Sequence, residues 1–201
     1  MKKFLGIAGV VVLLLASCGS GPKVSRVDAG TQTDLSGYWN DTDVKIVCEA
    51  LISDCLASPR VAQAIAAMGG KTPVVLVGSF KNESSEHINT AIISSTMEVT
   101  IFNSGKMDFV AGGRTRDELR SERQDQQFDA SEDTAARLGY EVGADFLLTG
   151  TVRTIVDRAG NQTVRTYFVN AEMSSIETNQ RIWMGNNNDI KKVIVQPKNR
   201  L

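Results

Sequence analysis

Four places in the 201-residue sequence carry side chains that could do chemistry. Cys18 lies in "LLLASCGSG", residues 13–21, where a thiol directly follows an apolar run and directly precedes small residues. His87, the single histidine, sits in "NESSEHIN" beside Ser84, Ser85 and Glu86. Cys48 and Cys55 form a spaced pair, and "NSGKMD" contains Gly105-Lys106. The chemistries these would serve are, in turn, thiol acylation, nucleophilic or acid–base catalysis, metal or redox work, and phosphate binding.

Three of the four lack what their chemistry needs. A nucleophile requires a base within hydrogen-bond reach and a third group to orient that base, and neighbours in one polar loop supply neither. His87 therefore reads as a surface histidine beginning a helix. Cys48 and Cys55 are seven apart in a helical pattern, roughly 10.5 Å along the axis, too far for a disulfide between them. They read as buried, reduced thiols that pack as small hydrophobes. In "NSGKMD", Thr100 stands where a phosphate-binding loop needs Gly, and Met107 replaces its Ser or Thr. The glycine pair of "AGGRTRDE" reads as loop. With no His/Cys ligand cluster and no carboxylate pair set apart from the surface acids, no catalytic residue, metal or cofactor is expected, and binding is the default role.

Cys18 is different, because its surroundings form a processing signal. Lys2 and Lys3 precede an apolar run from Phe4 to Leu15, which then turns small at Ala16 and Ser17. These are the three regions of a secretory leader, and the run is shorter than the roughly 20 residues of a permanent span. Leu15-Ala16-Ser17-Cys18 also fits a bacterial lipobox, in which the cysteine is acylated before the leader is cut on its N-terminal side. The alternative is an ordinary leader with an incidental cysteine. The expected mature chain starts at Cys18 and is held to a membrane by acyl chains, each buried methylene contributing about 0.8 kcal/mol. Gly19, in place of an inner-membrane retention Asp, points to the outer membrane. Lys2 and Lys3 leave with the leader, taking Lys+Arg from 22 to 20 against 23 Asp+Glu, a net of −3. That charge gives no footprint for nucleic acid.

The expected organisation is a leader over 1–17, a lipidated N-terminus and flexible tether over 18–40, and a globular α/β domain over 41–201. From Thr42, apolar residues at Val44, Val47, Cys48, Leu51, Ile52, Cys55 and Leu56 keep helical spacing behind the capping candidates Asp41 and Thr42. Pro59 ends that run or starts a second helix through "VAQAIAAM". "TPVVLVGSF" has strand composition of the doubly buried kind, "HINTAIISSTMEVTIFNSG" reads as helix by its length and its stop, and "MDFV" as a short strand. "RTRDELRSERQDQQ" and "DASEDTAARLGYEVG" read as helices, the second with a capping box at Asp129 and Glu132. "ADFLLTGTVRTIV", "QTVRTYFVNAEMSSIE" and "QRIWMGNNNDIKKV" alternate between turn signals, giving three C-terminal antiparallel strands. The fold class is α/β, a sandwich built on a mixed sheet.

"DLSGYWNDTDV", "TPVVLVGSFKNESSEHI", "ERQDQQFDASEDTAARLGYEVGADFLLTG" and "ETNQRIWMG", in this order after a lipobox, resemble the penicillin-binding-protein activator lipoproteins of the LpoB type. The resemblance runs from about Asp34 to Ile190 and implies a fold like the TolB N-terminal domain. It implies an outer-membrane lipoprotein that docks on a class A, bifunctional penicillin-binding protein, stimulates peptidoglycan synthesis and catalyses nothing itself. The alternative is a structural or export lipoprotein related to the curli-type secretion apparatus, which would need long membrane-crossing amphipathic strands. A docking surface wants aromatic and Arg anchors that the core does not use. Arg181 and Trp183, two apart on one strand and so expected on one face, with Gln180, Gln127 and Phe128, are the candidates. Trp183 covering the core and Phe128 plugging a loop are the structural alternatives.

If Cys18 is the acylated residue, Cys18→Ala is expected to leave an uncleaved or soluble protein that takes up no radioactive fatty acid. Undiminished labelling would rule out the lipoprotein reading.

Overall fold

A computed structural model describes residues 25–28, 30–110, 121 and 143–197. Two units emerge, Met1–Gln32 and Thr33–Leu201. Of the first, the described part holds one small turn, in which the Asp28 carbonyl accepts from Thr31 N–H at 3.0 Å. The second unit carries α1 (Asp41–Ala57), α2 (Pro59–Ala66), β1 (Val74–Asn82), α3 (Thr90–Ser104), β2 (Asp108–Phe109), β3 (Phe146–Ala159), β4 (Gln162–Ser175), β5 (Arg181–Asn187) and β6 (Lys191–Val195).

α1 buries Val44, Val47, Cys48, Leu51, Ile52 and Cys55, the stripe expected from its spacing. Its cap is Asn40, one residue ahead of the expected Asp41. The Asn40 side chain accepts from Asp43 N–H at 3.1 Å, and the Asp43 carboxylate accepts from Asn40 N–H at 2.9 Å, a capping box in which Asp replaces the usual Glu. Pro59 opens α2 at a position where its missing N–H is harmless. α3 is rich in β-branched residues, yet it is a helix. Ile93, Met97 and Ile101 make its buried stripe, the Thr96 and Thr100 hydroxyls donate to carbonyls four residues back at 2.8 Å, and Gly105 closes it at φ +64°.

The sheet runs β2-β1-β3-β4-β5, with β6 also on β4. β1 is parallel to β2 and β3, whereas β3 to β6 are antiparallel, so the sheet is mixed as expected. One expected strand is two. "QRIWMGNNNDIKKV" breaks after Asn187, whose side-chain amide donates to the Asp189 carboxylate at 2.9 Å and whose oxygen accepts from Asp189 N–H. That local turn competes with the ladder. β5 then borders the C-terminal half of β4 and β6 its N-terminal half. The helices pack on one face of the sheet, where Val75, Val77, Phe80, Leu148, Val152, Val169, Ala171 and Met173 meet them. On the other face of β1 Val74 is buried as well and Leu76 is half-buried. The two helices expected between residues 111 and 142 lie outside the described residues, apart from Ser121, which is helical.

Cys48 and Cys55 are both free and buried, and burial pushes each thiol up to about 12. Both are expected to ignore a thiol reagent until the protein unfolds. A raised thiol pKa keeps protons in the folded state that the unfolded chain loses above about 8.5, so stability should be full below that pH and fall above it. The limiting slope is about 1.4 kcal/mol per pH unit per thiol. Cys48→Ala with Cys55→Ala should flatten that alkaline slope in denaturant titrations from pH 8 to 10.5. An unchanged slope would show that the thiols do not titrate in this way.

Candidate functional site

β4 points Arg165, Tyr167, Val169, Ala171 and Met173 to the helix side, and the Arg165↔Lys192 pairing sets a second cation directly beside the first. Both cations are buried. Like charges opposed across a ladder repel, and each buried ion loses several kcal/mol of hydration, so carboxylates must converge on them. Three do. Lys192 Nζ lies 2.6 Å from Asp43 and 2.7 Å from Asp34, and it donates to the Tyr38 carbonyl at 2.8 Å. Arg165 Nε lies 3.3 Å from Glu86, whose oxygens accept from the Tyr167 hydroxyl at 2.9 and 3.0 Å and from Trp39 N–H at 3.4 Å.

The segment 34–40, read from composition as tether, is thereby strapped to the domain. The Arg165 guanidinium lies 3.8 Å over the Tyr38 ring, and Trp39 packs against Tyr167 with ring centroids 5.2 Å apart. Gly37, at φ +68°, brings its backbone onto Ile194 where a Cβ would collide. Burial, opposed by Lys192 and the Asn40 N–H, holds the Asp43 carboxyl above its ordinary pKa. Burial and the bond to Glu86 hold the Tyr167 hydroxyl above its own.

The residues expected at the docking surface separate. Trp183 is 6% exposed, and its indole N–H donates to Asp54 on α1 at 2.9 Å. The ring lies flat where a Cβ on Gly185 would stand, so it covers the core. The Arg181 side chain is 60% exposed and pairs with Glu172 at 3.1 Å on the opposite face of the sheet. A bulge causes the difference: Met173 pairs with Trp183 but Ser174 with Arg181, so Ile182 is an extra residue and the alternation reverses. Gln180 is exposed at the end of the β4–β5 turn, and its carbonyl accepts from Ser175 N–H at 2.9 Å. Gln127, Phe128 and Cys18 lie outside the described residues. His87 is exposed in the loop before α3 rather than in its first turn.

Next to Glu172, the partner of Arg181, the outer sheet face holds a shallow concavity of about 470 Å³, lined by Thr151, Arg153, Asn170, Glu172, Met184 and Asn186. Met184 is among the most exposed large apolar residues. Among the described residues, no group of three or more His, Cys, Asp or Glu is placed to hold a metal ion, and no helix is long and apolar enough to cross a membrane.

The model of the family described as peptidoglycan-synthase activator LpoB matches residues 43–188, from the capping-box Asp43 through the turn after β5. The chain belongs to the LpoB family. It is therefore an outer-membrane lipoprotein of the periplasmic face that activates a bifunctional, class A penicillin-binding protein in peptidoglycan synthesis, and it is not an enzyme. No curated protein matches the chain. Among solved structures, the LpoB C-terminal domain from Escherichia coli is 20% identical, with 77% of this chain and 99% of that one covered and a TM-score of 0.44. The corresponding Salmonella enterica domain is 18% identical, with the same coverage and a TM-score of 0.43. Lipoprotein GNA1162 from Neisseria meningitidis is 16% identical, covering 64% and 86%, with a TM-score of 0.35. The assignment rests on the family model.

Within this LpoB-family domain, Glu86, Arg165, Tyr167, Lys192 and Asp43 escaped the reading of the sequence. A signal was present: Arg165 continues the inward register of Tyr167, Val169, Ala171 and Met173, and an inward charge demands a buried partner. Removing one partner should be costly. Lys192→Met leaves Asp43 uncompensated and is expected to lower stability by about 3 to 5 kcal/mol, much of which Asp43→Asn should restore in the double variant. Additive losses in a denaturant double-mutant cycle would mean the two side chains do not interact.

Proposed function

We infer that the Thr33–Leu201 unit is a docking body, held by acyl chains on Cys18 and by a tether over residues 18–32, which at full stretch reaches at most about 54 Å. The observation that carries this reading is the family match over residues 43–188. The leader over 1–17 and the lipobox supply the anchor. The docking surface in this reading is the outer face of the sheet at β5, with Arg181, Gln180 and Met184 at its centre; Gln127 and Phe128, outside the described residues, join it on the reading of the sequence alone. Trp183 serves it from below, by fixing β5 to α1 through Asp54. In its finer detail we read the fold as that of the TolB N-terminal domain, on the order of helices and strands.

Arg and exposed Met suit the task, because a contact residue must gain more from a partner than it loses in water. The Arg181–Glu172 pair is exposed enough to be worth little to the fold itself. Arg181→Glu is expected to raise the concentration needed for half-maximal stimulation of a purified class A synthase by about tenfold or more, with an unchanged circular-dichroism melt. Wild-type stimulation by a folded variant would move the patch off β5.

A further inference from the structure

Toward the β3–β4 turn, polar side chains join Val156 on the inward face of the ribbon. Arg158 pairs with Thr163 and Val156 with Arg165 across the ladder, which sets Arg158, Thr163 and Arg165 on that side. With Ile194 of β6 and Ser36 and Tyr38 of the strap they enclose a concavity of about 410 Å³. Asn161, Gln162 and Gln196 stand at its mouth, where Asn161 and Gln196 hold each other through Gln196 N–H to the Asn161 carbonyl at 2.9 Å and Asn161 Nδ2 to the Gln196 carbonyl at 3.0 Å.

Its charge is one-sided. Among the described residues, two guanidiniums line it and no carboxylate does. Arg158 is exposed and has no ion pair among the described residues. Arg165 is more than nine-tenths buried, yet among the described residues only one of its five N–H donors makes a hydrogen bond, to the Gly37 carbonyl at 3.4 Å. Its Nε, though 3.3 Å from Glu86, has no hydrogen-bond partner. The Glu86 carboxylate already accepts the Tyr167 hydroxyl and Trp39 N–H, so the buried Arg165 guanidinium is incompletely satisfied at Nε, and Arg158 stands beside it.

We propose that this concavity binds a short acidic peptide through its carboxylate, with Arg158 as the fork that closes on it and Arg165 as the fixed cation behind. A planar carboxylate matches a guanidinium in two parallel bonds. The hydroxyls of Ser36 and Thr163 and the side-chain amides of Asn161, Gln162 and Gln196 match peptide N–H and C=O groups, and Ile194 offers an apolar wall. A bare phosphate would take the amide N–H donors but would use neither the amide carbonyls nor the wall. The volume suits about two or three residues, near the lower end of small-ligand sites. For the source of the peptide the proposal rests on the activator reading: peptidoglycan carries short stem peptides with free carboxylates, so the site would let the protein sense the wall polymer it helps to make.

The test titrates the full-length protein in detergent with a soluble disaccharide-tetrapeptide, read by calorimetry. Saturable binding is expected. Amidation of the peptide's carboxyls or Arg158→Gln should each weaken it by about tenfold or more, and Arg158→Lys should weaken it less than Arg158→Gln. Absent binding, equal binding of the amidated ligand, indifference to Arg158→Gln, or binding of inorganic phosphate at the site as tight as that of the disaccharide-tetrapeptide would each overturn the proposal. Synthase stimulation is measured on the same preparations and should be unchanged in Arg158→Gln. Muropeptide binding without any stimulation by the wild-type protein would sink the docking reading and leave this site standing; stimulation without muropeptide binding would do the reverse.

Discussion

Two buried cations side by side govern the architecture of this domain. Arg165 and Lys192 oppose each other across β4 and β6 on the inward face, where water is scarce and repulsion is strong. The carboxylates that make the arrangement tolerable come from three separate parts of the chain. Glu86 belongs to the loop between β1 and α3, Asp43 to the first turn of α1, and Asp34 to the strap. Neutralising one pair of charges thus fixes where α1 begins, where the loop before α3 lies and how the chain enters the domain.

The same groups are spent more than once. The Asp43 carboxylate caps α1 by accepting Asn40 N–H and also meets Lys192, so helix start and strand β6 are set together. Glu86 accepts from Tyr167 and from the backbone of Trp39 while facing Arg165. Shared partners make such groups non-additive, and a loss at one is felt at the others. An apolar core of equal volume would hold the sheet to the helices as firmly, but it would not specify the path of residues 34–40, whose side chains are mostly exposed.

Much of the fold was legible because its elements follow simple periods. The stripe of α1, the break at Pro59, the stop at Gly105 and the alternation of β3 and β4 are local, and local rules found them. The misses share a cause, in that each depends on something distant or on a single irregular residue. Asn187 turns the chain with its own side chain and splits one apparent strand in two. Ile182 inserts a bulge whose position depends on how β4 and β5 are registered, and that one residue sends Arg181 and Trp183 to opposite faces. The strap looked like tether because its composition is polar. What holds it is the inward charge on β4 and β6, more than a hundred residues away in sequence, and a polar segment facing a buried cation cannot be told from a polar segment facing water by composition alone.

An activator without chemistry acts only through differential binding, favouring the state of its partner that fits it better. Such a surface must itself be fixed, since any ordering it undergoes on contact is subtracted from the difference it can impose. For the docking surface proposed at β5, that demand falls on an edge strand of the sheet, where an unsupported strand would fray. The Trp183 indole, laid over Gly185 and bonded to Asp54, ties the strand to α1 from the inner side. The bulge at Ile182 then turns Arg181 outward beside Met184 without loosening the strand that carries it. The large aromatic and the exposed guanidinium thus divide the work between them: the aromatic gives the edge its rigidity from inside, and the guanidinium gives it something to present outside.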